Sequence, residues 1–198
     1  DLESVIGSLG KPFSINSPGI FIKKYGCCIF NHRGLDALLQ LMEENDIHYD
    51  RVDFVEAEVP TFIAKILCFP DPKNGEEAKF SLHQSLGSVL IDREVAQPYI
   101  RPFSDASAVD PRYQEARKKI NMITREDWSG GRSAPWSMPI TVRLKDGRKY
   151  TKSVDQIKAG PENPLTKKEL VGRYRSLVQG FLSSEQTQRS IDLVFNLE

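Results

Sequence analysis

The sequence predicts an α+β fold, a sheet covered by helices, and three observations predict it. Runs that alternate apolar and polar residues, such as Val52-Asp-Phe-Val-Glu-Ala-Glu-Val59 and Ile140-Thr-Val-Arg-Leu144, have the two-residue period of half-buried strands. Stretches with apolar residues three and four apart, from Ile29 to Met42 and from Ala78 to Leu90, have the helical period. The two kinds are interleaved along the chain, and each needs the other to cover its apolar face.

In chain order, a short opening helix precedes Ser17-Pro-Gly-Ile-Phe-Ile-Lys-Lys-Tyr25, whose β-favouring residues predict a strand over 19–25 that carries two lysines. The helical period then predicts a helix over 28–44 that contains His32 and stops at Asn45. A strand over 51–59 ends at Pro60. The Pro- and Gly-marked loop 70–75 leads into a helix predicted over 76–92. Asp110 followed by Pro111 marks the start of a helix reaching Lys119, because an aspartate caps orphan amides and proline suits the first helical position. A strand over 120–124 and an irregular loop over 128–139 precede a hairpin over 140–154, turned by Asp146-Gly147. Thr166 and Glu169 have the spacing of a capping box, which opens a helix through Leu170, Tyr174, Leu177 and Val178. A final helix, from near Ser184, is expected to be still in progress at Glu198. The strands are expected to form one sheet, and the boundary between the α+β part and the helical tail is placed at 160–164.

Charge narrows the function. Among 198 residues, 27 Lys+Arg face 27 Asp+Glu, so no overall positive field draws in nucleic acid or an anionic membrane surface. The best apolar run, Thr61 to Phe69, is interrupted by Lys65 and falls well short of the roughly 18–20 residues that span a bilayer. Three cysteines, two of them adjacent, do not make a disulfide framework, so a reducing, cytoplasmic setting is expected. The chain begins with Asp and lacks a secretory pattern, which suggests a processed chain or a piece of something longer. GxGxxG, P-loop, HExxH, CxxC and GxSxG patterns are all absent, so the common phosphate, metal and acyl-transfer signatures are missing. As zinc ligands, Cys27, Cys28 and His32 lack a fourth partner, and adjacent cysteines chelate poorly.

The informative stretch is Ile22-Lys-Lys-Tyr-Gly-Cys-Cys-Ile-Phe-Asn-His32, which takes two lysines straight to a helix start. Helix N-termini favour negative charge, so a lysine beside one can hold a carboxylate. The competing reading is two solvated lysines on an edge strand, with His32 a core or capping residue.

The chain resembles the C-terminal part of the MmgE/PrpD family, which includes 2-methylcitrate dehydratase, cis-aconitate decarboxylase and iminodisuccinate epimerase. The resemblance rests on Leu9-Gly10 with Phe13-Ser-Ile, on Gly19-Ile-Phe-Ile-Lys23-Lys-Tyr-Gly-Cys-Cys28 with His32 and Asp36-Ala-Leu-Leu, and on Ala78-Lys-Phe-Ser81-Leu. Asp110-Pro-Arg112, Leu144-Lys-Asp-Gly147 and Gly160-Pro-Glu-Asn-Pro-Leu-Thr with Glu169-Leu continue it in the same order. It implies an α+β lid domain over 1–162 and a C-terminal helical segment, 163–198, that returns to a large helical domain whose N-terminal part is missing here. It also implies a cofactor-independent lyase or isomerase that acts on a small di- or tricarboxylate by moving a proton next to a carboxylate, in a cleft between the domains. Lys23 matches the family's active-site lysine. Substrate-binding positions carried over are Cys28, where some relatives have histidine, His32, Ser81 and Gln84, where an aromatic residue is expected. The 198-residue chain alone is expected to be inactive, and its apolar tail to meet the missing domain or a second copy in a homodimer. The alternative class is a non-catalytic module that binds a carboxylate or a protein, which the departures at Gln84 and Cys28 favour.

Overall fold

The computed structural model describes residues 2–13, 15–17, 19–93, 101–128 and 137–197. Helix α1 spans Leu2–Ser8. A 3-10 turn, Ile29–Asn31, runs directly into α2, His32–Glu44. Strand β1, Val52–Pro60, is followed by α3 (Thr61–Ile66), α4 (Gly75–Lys79), α5 (Leu82–Asp92), α6 (Asp105–Val109) and α7 (Pro111–Arg117). Then come β2 (Ile120–Arg125), the hairpin β3 (Ile140–Leu144) and β4 (Lys149–Lys152), and helices α8 (Lys167–Val178) and α9 (Ser184–Phe195).

The four strands form one mixed sheet in the order β2-β1-β3-β4, with β1 and β2 parallel and the other pairs antiparallel. The α+β expectation therefore holds. Parallel strands need a crossover between them, and α3 to α7 supply it. In β1 and β3 the buried residues Val55, Ala57, Val59, Ile140, Val142 and Leu144 recur at every second position and lie in one core with Leu35, Leu38, Leu82 and Leu86 of α2 and α5. Burying side chains of this size stabilises by about 1.5–3 kcal/mol each, which is what holds the two helices on the sheet.

Four expectations are corrected. Residues 19–25 form no strand: a hydrogen bond from the Ile22 amide to the Ala159 carbonyl, 3.1 Å, ties the segment to the 157–163 loop, and Ile20, Phe21 and Ile22 are exposed. β-Propensity there has no partner strand to act on. The helix expected over 76–92 is two helices, because Ser81 takes a non-helical conformation and caps α5, its Oγ accepting the Gln84 amide at 3.0 Å. The helix expected over 28–44 begins as the 3-10 turn. The last helix ends at Phe195, where Asn196 caps it, rather than running on to Glu198. Helices α3 and α6 were not foreseen. The capping box of Thr166 and Glu169 is present as predicted, and Ser183 with Gln186 makes a second one. Most of the loop placed at 128–139 lies outside the described residues.

Part of the apolar tail meets solvent. Phe181, Val194 and Phe195 are exposed, Leu170, Leu177 and Val178 are half-buried, and Ile191 is buried. No helix among the described residues is long and apolar enough to cross a membrane.

Candidate functional site

The stretch from Lys23 to His32 sits where the entry to α2 meets the ends of α3 and α4. Two hydrogen bonds fix it there. The Cys28 amide and the Asn31 side-chain amide both donate to the Lys79 carbonyl, at 2.9 and 3.2 Å, so the last turn of α4 receives the start of α2. Phe30 packs edge-on against Phe62 of α3, with ring centres 5.6 Å apart. These contacts enclose an open concavity of about 390 Å³, lined by Lys23, Cys28, Phe30, Ile66, Lys79 and Phe80 among others.

The two lysines, adjacent in sequence, have different surroundings. Lys23 is exposed and borders the concavity. The Lys24 ammonium instead donates to Asp36 Oδ1 at 2.9 Å and lies 4.8 Å from the centre of the Tyr25 ring. The picture of two solvated lysines therefore fails for Lys24. Lys79, the second cation of the concavity, is engaged with Glu76 at 2.5 Å.

Beneath this surface the polar groups are buried. His32 is fully buried, and neither of its ring nitrogens has a hydrogen-bond partner among the described residues. Burial, opposed by the Asp36 charge and reinforced by that of Lys23, lowers its pKa to about 4, so the imidazole is neutral at physiological pH. Its edge meets the Tyr25 ring, with centroids 5.1 Å apart. Burial likewise pushes the Cys27 thiol up to about 12, which makes it an inert packing group. Cys28 is half-buried at the concavity, and Cys68 is exposed.

Ser81 and Gln84 are fully buried in another part of the molecule's polar framework. Ser81 caps α5. The Gln84 side chain donates to the Pro102 carbonyl at 2.7 Å and accepts from Arg117 at 2.7 Å, while Arg117 also reaches Asp71 at 2.7 Å. This network joins α5, α7 and the turn before α6. Of the residues singled out by sequence, the structure thus brings Lys23 and Cys28 to one concavity with His32 close behind, and gives Ser81 and Gln84 interior partners. Asp36, Lys79 and Tyr25 were missed. Only Asp36 carried a sequence signal, its place one helical turn after His32. Among the described residues, no three His, Cys, Asp or Glu side chains are grouped to hold a metal ion.

A family model, the MmgE/PrpD C-terminal domain, matches residues 25–198. Cys28, His32, Asp36, Ser81 and Gln84 fall inside that span, and Lys23 lies two residues before it. No curated protein matches the chain.

Proposed function

The chain belongs to the MmgE/PrpD family, of which it holds the C-terminal domain, and from that premise we propose that it is the lid of a cofactor-independent lyase or isomerase. The substrate in this reading is a small di- or tricarboxylate, and the reaction moves a proton on the carbon next to a carboxylate. Residues 1–162 form the lid, and 163–198 join a helical domain outside this chain that supplies the rest of the site. The exposed apolar residues of α9 agree with such a neighbour.

The observation that carries the reading is the exposed Lys23 ammonium at a concavity, set apart from its neighbour Lys24, which is held by Asp36. As a proton leaves the α-carbon, negative charge grows on the adjoining carboxylate. A fixed ammonium there is worth more in the transition state than in the ground state, which is the condition for catalysis. Cys28 borders the same space and can donate a weak hydrogen bond to a substrate oxygen. His32, Ser81 and Gln84 contribute from behind, by holding the entry to α2 and the start of α5. The proton acceptor comes from the absent domain, so the 198-residue chain alone has no turnover.

The test is a screen of the full-length protein, with its upstream region, against 2-methylcitrate, cis-aconitate, iminodisuccinate and citrate, read by product analysis. Turnover of at least one supports the lyase or isomerase reading. Binding without turnover supports the carboxylate-binding alternative, for which the buried, fully engaged Gln84 in place of an aromatic speaks.

A further inference from the structure

Resting on the reading of Lys23 just given, we infer that Asp36 is the positioning residue for Lys23, acting through the two residues that follow Lys23 in the chain.

Lys23 sits on a segment without strand pairing, so no ladder of backbone hydrogen bonds fixes it. What holds the segment is a hub. The Asp36 carboxylate, 4% exposed in α2, takes three donors from two other parts of the chain. Lys24 Nζ and the Tyr25 hydroxyl donate to Oδ1 at 2.9 and 2.6 Å, and the Lys158 amide approaches Oδ2 at 3.3 Å. The last of these ties in the loop whose Ala159 carbonyl receives the Ile22 amide, so the segment is held on both sides of Lys23 by contacts that lead back to Asp36. Tyr25, fully buried against His32, makes the attachment rigid rather than a surface tether.

The geometry also accounts for the divergence of the two lysines. Drawing Lys24 inward to Asp36 leaves Lys23 directed to the other side, toward Cys28 and Lys79. A carboxylate is suited to this place because its two oxygens can accept from an ammonium, a phenol and a backbone amide at once. An asparagine keeps one acceptor oxygen for Lys24 and Tyr25 and turns an amide donor toward the Lys158 N–H, itself a donor.

The experiment is a double-mutant cycle on the full-length protein, with citrate binding by calorimetry as one readout and backbone hydrogen exchange of residues 20–25 as the other. Lys23→Met is expected to weaken citrate binding about tenfold or more, Asp36→Asn by a similar factor, and the double variant no further than Lys23→Met alone. A merely structural role for Asp36 predicts effects that multiply. Exchange over 20–25 is expected to rise about tenfold or more in Asp36→Asn, while α5 stays protected. If Asp36→Asn fails to fold, Tyr25→Phe removes the 2.6 Å bond and keeps the ring, and it is held to the same two readouts. Multiplying effects, citrate affinity unchanged in Asp36→Asn while lost in Lys23→Met, or unchanged exchange overturns the positioning role. Citrate binding untouched by Lys23→Met counts against the functional reading instead, and citrate binding absent in the unmutated protein leaves that reading to the substrate screen above. Exchange then decides the clamp alone.

Discussion

Replacing Lys24 by methionine should destabilise the fold, whereas the same change at Lys23 should not. Asp36 is almost fully buried, and its side chain would keep only the Tyr25 hydroxyl and the Lys158 amide once the ammonium 2.9 Å away is removed. Breaking a fully buried ion pair from one side costs about 3–5 kcal/mol. The Lys24 side chain is 25% exposed, and the two remaining donors still serve the carboxylate, which reduces the loss to about 2 kcal/mol. For a chain of this size that corresponds to a drop in Tm of about 4–8 °C. The assay is thermal and urea unfolding of Lys23→Met, Lys24→Met and the unmutated protein under identical conditions. A Tm unchanged in Lys24→Met, or lowered as much in Lys23→Met, would refute the assignment of the two lysines to different environments.

Three further outcomes follow from the same contacts. Because His32 binds a proton near pH 6.5 when unfolded but only near 4 when folded, stability should fall as pH drops through that window, by at most about 3 kcal/mol. His32→Phe should show a shallower acid loss than the unmutated protein in urea titrations at successive pH values, whatever its effect at pH 8. Gln84→Leu should cost about 2–4 kcal/mol, because it strips a buried donor from the Pro102 carbonyl and a buried acceptor from Arg117; unfolding midpoints within experimental error of each other would count against the network. Gly75→Ala should cost about 1–3 kcal/mol, since its Cβ would come within 2.6 Å of the Phe103 carbonyl oxygen, a backbone atom with little room to yield; a stabilised variant in the same assay would contradict that contact.

Much of the fold was legible because its signals are local. The period of β1 and β3, the proline at the start of α7 and the Thr166–Glu169 capping box each specify an element within a few residues. The failures came where a partner decides. Ile20, Phe21 and Ile22 read as a strand by composition, but strands exist by pairing, and none of the sheet's edges takes this segment. Ser81 interrupts an apolar period that runs through it unbroken, because its hydroxyl competes for the backbone. The site divides in the same way. Lys23 was singled out by resemblance, while the group that distinguishes it from Lys24 lies twelve residues from Lys24, and Gln84 meets Arg117 thirty-three residues away. No local pattern announces either contact.

The most direct test of the account is steady-state turnover of the full-length protein carrying Lys23→Met, on the substrate that the proposed polycarboxylate screen identifies. The account predicts a folded protein whose kcat/KM falls by about 10²-fold or more, the scale for loss of one preorganised charge-stabilising donor. Full activity in that variant, with the fold intact, would contradict it.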